Sequence, residues 1–123
     1  MGSFSYKDLK VWQNSMEAEH VYLLTQSFPR QETYGLTNQL QKAAISIPSN
    51  IAEGHTRDST KEFLHFLSIA LGSLAELKTQ LLLAQKFKYL SMDNSKLLLL
   101  KTEETARMLR GLQKTLKAKL NSP

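Results

Sequence analysis

With 123 residues and no cysteine, the chain has the size of one domain that can bury its own core, and disulfide frameworks and thiolate metal sites are excluded. The first seven residues hold no apolar signal core and the uncharged apolar runs are too short to span a bilayer, so a single cytoplasmic domain over residues 1–123, without a membrane partner, is expected. The net charge of +5 is one-sided: residues 1–95 are balanced and the excess lies in residues 96–123, which points to an anionic partner or to simple solubility.

Taken in chain order, Leu9, Trp12, Met16, His20 and Leu23 recur at three- and four-residue steps between Asp8 and Phe28-Pro29, predicting a first helix over about residues 8–28. Leu36, Leu40, Ala43, Ile47 and Ile51 repeat the pattern, predicting a second helix over about 35–53, bent at Pro48 and stopped by Gly54. Ser59-Thr60-Lys61-Glu62 matches a capping box ahead of Phe63, Phe66, Leu67, Ala70, Leu74, Leu77 and Leu81, so a third helix is expected to about Phe87. Ser91 or Asp93 can cap a fourth helix whose buried row is Leu98, Thr105, Leu109, Leu112 and Leu116, ending before Asn121. No strand alternation competes. Short links favour antiparallel neighbours, hence an all-α, up-down-up-down four-helix bundle.

Helix three carries a second apolar row, Leu64, Leu71, Ala75 and Leu82, about 110° around the axis from its main stripe. That row either joins protomers in an oligomer or covers a neighbouring helix within one protomer. In helix two the run Ile45-Ser46-Ile47-Pro48-Ser49-Asn50-Ile51-Ala52-Glu53-Gly54 places polar groups near the core. Pro48 removes a backbone donor and leaves the Ala44 carbonyl seeking a partner, which Ser46, Ser49 and Asn50 are placed to replace. Asn50 and Glu53 are read as a structural polar network in which amide and carboxylate satisfy each other, with Glu76 of helix three as a further member that meets Glu53 at a subunit boundary.

Glu17-x-x-His20 and Glu62-x-x-His65 have the spacing of di-iron bundle ligands, but Glu17 and His65 fall off the inward faces, so no metal site is expected; His20 reads as an inward core histidine. No Gly-x-Ser-x-Gly, paired His/Asp pattern or glycine-rich phosphate loop is present, and the expectation is a non-enzyme without cofactor. The organised polar feature is on helix four. Lys96, Arg107, Arg110, Lys114 and Lys117 fall within an arc of about 80° on the side away from Thr105 and Leu109, with Glu103 as one acidic interruption. Such a stripe can follow a phosphate backbone, RNA or DNA; a solvated face has the same pattern.

The segments DLKVWQ at 8–13, YGLTNQLQKAAISIPSNIAEGH at 34–55, STKEFLHFLSIALGSLAELKTQL at 59–81 and the KYL before helix four resemble the small bacterial four-helix proteins encoded in intervening sequences of 23S rRNA genes. The resemblance covers most of the chain, and helix four matches it only in general character. It implies a four-helix protomer assembled as a homopentamer. The chain is also similar to the accessory variability determinant of diversity-generating retroelements, which implies nucleic-acid binding through basic surface and a reverse transcriptase as protein partner. The competing expectation is a protein-interaction or assembly module that binds no nucleic acid and uses the second row of helix three.

Overall fold

The computed structural model describes residues 5–122, and among these there is no strand. A 3-10 turn at Tyr6–Asp8 leads into α1 (Lys10–Asn14) and α2 (Ala18–Thr25); a second 3-10 turn at Arg30–Glu32 precedes α3 (Leu36–Thr56), α4 (Thr60–Lys86) and α5 (Met92–Leu120). α1 and α2 together form one leg of the bundle, and α3, α4 and α5 form the others. Each leg packs on the next and the first on the last, the arrangement of an up-down four-helix bundle. The starts of the long helices follow from their capping residues: the Ser59 hydroxyl accepts the Glu62 N–H at 3.2 Å and the Ser91 hydroxyl accepts the Asn94 N–H at 3.0 Å.

The first leg departs from the expected single helix, breaking at Ser15–Glu17. The Ser15 hydroxyl donates to the Trp12 carbonyl at 2.7 Å, and the Glu17 N–H turns back to the Ser15 carbonyl at 2.9 Å, so the chain changes direction before α2 begins. The break shifts the register. Val11, Ser15, Val21, Thr25 and Phe28 are buried, whereas Met16 and Leu23, two members of the expected inward row, are 54% and 60% exposed. A row that includes Ser15 and Thr25 escapes any count of apolar residues, but both hydroxyls are satisfied locally by carbonyls three residues back.

α3 runs unbroken through Pro48 and continues past Gly54 to Thr56. Gly54 is therefore no stop; it is where α3 and α4 come together. A Cβ there would lie 2.6 Å from Phe66 Cβ and 3.0 Å from the Phe63 ring. Further along the same contact the Ser46 and Ser73 hydroxyls bond each other at 2.8 Å, and Ala43, Ala44 and Ala70 are buried. Leu40, Ile51, Leu67, Leu77, Leu98 and Leu109 fill the centre, each contributing about 1.5–3 kcal/mol by leaving water. α4 is long and apolar enough, by length and composition, to cross a membrane, and in this fold it is the helix held between α3 and α5.

Two hydrogen-bonded ties close the bundle. Tyr89 donates to Glu32 Oε2 at 2.9 Å, while Glu32 Oε1 accepts the first N–H of α3, from Leu36, at 3.1 Å. Asn14 Nδ2 donates to Thr105 Oγ1 at 2.8 Å and its Oδ1 accepts from Lys101 Nζ at 3.0 Å, so Thr105, the polar position in an apolar row, is the anchor that fastens the first leg to α5.

Candidate nucleic-acid interface

The outer face of α5 carries the cations that the sequence groups together. Lys96, Arg107, Arg110, Lys114 and Lys117 are all exposed on that helix. At 1.5 Å of rise per residue, Arg107 to Lys117 make a ridge about 15 Å long. Lys101 is absent from it because its ammonium is turned to Asn14 on the opposite flank. Glu103 lies within the arc, but Lys78 of α4 reaches across to it at 3.4 Å, so the acidic interruption is paired by a cation from the neighbouring helix. Lys78 is the residue that the helix-four pattern alone misses. Its signal is its position three residues after Ala75, which continues the second row of α4 with a charge.

α4 and α5 do not meet as closely as α3 and α4. Between them is an open groove of about 310 Å³ with Leu71, Leu74, Ala75 and Ala106 along its floor and Lys78, Arg107 and Arg110 on its rim. A second recess, about 380 Å³, lies nearer the α4–α5 turn and is bordered by Leu82, Met92, Lys96 and Leu100. The five expected cations are thereby divided. Arg107 and Arg110 share the groove, Lys114 and Lys117 continue the ridge towards the end of α5, and Lys96 stands apart beside Asp93. The second row of α4 is divided in the same way: Leu71 and Ala75 line the cationic groove, Leu82 lines the apolar recess, and Leu64 is half-buried one turn from the start of α4. Surfaces that are alternatives in the sequence therefore overlap in the fold, at the groove.

The polar run of α3 is organised differently from expectation. Asn50 donates through Nδ2 to the Ser46 carbonyl at 2.8 Å and to the Ser46 hydroxyl at 2.9 Å, which joins it to Ser73 of α4. The Ser49 hydroxyl donates to the Ile45 carbonyl at 2.8 Å, so the side chains around Pro48 serve the Ile45 and Ser46 carbonyls, not that of Ala44. Glu53 is not part of this network. It faces solvent and pairs with Arg57 at 3.1 Å, one helical turn on, because position 53 is directed away from the α4 contact. Glu76 is exposed on α4, and with Ser46 opposite Ser73 and Gly54 opposite Phe66, it lies about 15 Å along the pair from Glu53. The expected Asn50–Glu53–Glu76 network is thus replaced within the protomer by Asn50–Ser46–Ser73.

Among the described residues, no group of three or more His, Cys, Asp or Glu side chains is placed to hold a metal ion. His20 is half-buried with Nδ1 3.6 Å from Glu17, His65 is exposed, and Glu62 stands 4.0 Å from Arg57.

The sequence profile of the 23S rRNA-intervening sequence proteins matches residues 7–111. The chain belongs to that family. The matched region takes in all of α1 to α4, the groove and its two arginines, and it ends before Lys114 and Lys117, so the distal half of the cationic ridge lies outside what the family profile describes. No curated protein matches the chain by sequence.

Proposed function

We propose that the protein is a non-enzymatic, cytoplasmic, oligomeric factor that binds polynucleotide, RNA or DNA, through the outer face of α5. The observation that supports this reading most is the run of exposed cations from Arg107 to Lys117, beside which the nearest acid of the arc, Glu103, is paired by Lys78. Cations at steps of three and four residues present a line of charge that phosphates can follow, with counterion release as the driving force. Membership of a family defined by intervening sequences of 23S rRNA genes is compatible with an RNA-associated role. Assembly into a ring of five, and partnership with a reverse transcriptase, are the corresponding proposals from the resemblance noted in the sequence.

The test is binding of fluorescent single-stranded RNA, structured RNA and matching DNA across a salt series, with oligomer mass measured in the same buffer. Wild-type affinity should fall steeply with salt. The triple variant Arg107→Glu, Arg110→Glu, Lys114→Glu should bind weakly at low salt, with a log–log salt slope smaller by about two to three units and unchanged helical circular dichroism. Unchanged binding by the variant rejects this surface.

A second reading, assembly through apolar contact, is favoured by one specific observation: Met92 is 76% exposed and Leu100 53%, and both border one recess with the exposed Leu82 at the α4–α5 end of the bundle. Capture of a protein partner that is insensitive to salt, abolished by Met92→Glu with Leu100→Glu, would place the function there.

A further inference from the structure

The polynucleotide reading leaves open what the apolar floor beneath the arginines is for. Phosphates need only the cations; a duplex laid along α5 would meet the ridge through its backbone and have no use for a recess of about 310 Å³ behind it. Two sides of the groove are of different chemistry. The floor is aliphatic, from Leu71, Ala75 and Ala106, and the rim is charged and in excess cationic, from Lys78, Arg107 and Arg110 with the single acid Glu103. A single strand presents the same two chemistries side by side, flat bases on one edge and phosphates on the other. Guanidinium planes are one of the surfaces on which unpaired bases stack, and both arginines stand at the mouth of the groove.

We propose that the α4–α5 groove takes the bases of an unpaired strand, with Arg107 and Arg110 at its edge and Lys114 and Lys117 holding the following phosphates. The proposal rests on the polynucleotide reading above and adds to it the strandedness of the ligand. The complementarity is one of charge as well as shape: Lys78 is committed to Glu103, so the two arginines are the charges left on the rim for phosphate. The ridge of about 15 Å from Arg107 to Lys117 is as long as a few nucleotides of an extended strand, enough for a short unpaired loop or end. Ala75, exposed, is the smallest of the α4 side chains that line the groove, so a larger side chain there fills part of the space open to a base.

The experiment compares three ligands of about sixteen residues in total and matched charge on the wild-type protein: mixed-sequence single-stranded RNA, an RNA duplex with half that number of residues in each strand, and an abasic sugar-phosphate oligomer. Stacking and apolar contact to one or two bases predicts that the single strand binds about tenfold or more tightly than the abasic oligomer, with similar salt slopes for both. Ala75→Leu, which shallows the groove without touching its charge, should bring single-stranded RNA down towards the abasic level and leave abasic binding as it was. Equal affinity for the single strand and the abasic oligomer, or preference for the duplex, overturns the base-accepting groove while the cationic ridge stands. Failure of all three ligands to bind at low salt overturns both.

Discussion

α4 has two long contacts, and they are built on opposite plans. Against α3 the backbones are drawn together by small residues: Gly54 leaves no room beside Phe66, the Ser46 and Ser73 hydroxyls meet at 2.8 Å, and Ala43, Ala44 and Ala70 are buried. Against α5 the helices part over a groove, Ala75 and Leu82 remain exposed, and charges from both helices stand along its edge. At the first contact the Ser46, Asn50 and Ser73 side chains bond one another across closely packed backbones. The second leaves apolar and cationic atoms unsatisfied by the protomer, and that is where a binding surface can be built without cost to the core.

One substitution placed on each side of α4 tests this contrast. Ala70→Leu, on the face that carries Phe66 and Ser73, should destabilise by about 3 kcal/mol, because a fully buried site has no space for three more carbons; denaturant unfolding should show a lower midpoint with an unchanged slope. Gly54→Ala should cost about 1–2 kcal/mol through the contact with Phe66 Cβ, which the helix backbone cannot avoid by changing rotamer.

Tyr89→Phe should have a smaller effect, and one that depends on pH. The hydrogen bond to Glu32, then partial burial and the carboxylate charge, hold the Tyr89 hydroxyl above its ordinary value of 10.0. The protonated phenol is therefore favoured by folding, so its contribution is complete below pH 10.0 and lost as pH rises through the higher folded value. Wild type and Tyr89→Phe should differ in stability at neutral pH and converge in strong alkali. A constant difference across that range would show that the tie to Glu32 is not what the phenol contributes. Last, Ala75→Leu should change stability by no more than about 0.5 kcal/mol, since the added atoms enter an open groove. A loss as large as that of Ala70→Leu would mean that the two faces are equally tight.

The sequence makes α3, α4 and α5 legible because each buries a wide, regular apolar stripe; the serine cap at 59 is located correctly, and of the two caps open for α5, Ser91 and Asp93, the fold uses Ser91. It hides the first leg for a physical reason. Ser15 and Thr25 occupy buried positions by bonding their hydroxyls to their own helix, and Asn14 turns inward to Thr105, so polarity there does not mark the outer face. Gly54 is misread for a similar reason: a glycine that permits close approach and one that ends a helix look identical until the opposing Phe66 is known. The cationic ridge is visible as a helical arc, which already leaves out Lys101, but its division by the groove and the pairing of Glu103 by Lys78 depend on a neighbouring helix that no one-helix projection contains. Within the protomer Glu53 pairs with Arg57, one turn away, and not with Asn50, a choice the wheel does not distinguish.

The tie between Asn14 and Thr105 joins residues 91 apart in the chain, whereas α3 and α4 are separated only by residues 57–59. Chain entropy therefore orders the folding events: the α3–α4 hairpin closes a short loop and can form early, while docking of the first leg on α5 closes the longest loop and comes late. Trp12, the single tryptophan, rides on that leg, half-buried against the core. Its fluorescence is thus a built-in clock for the final closure, and in refolding it should change after the far-ultraviolet helical signal has largely returned.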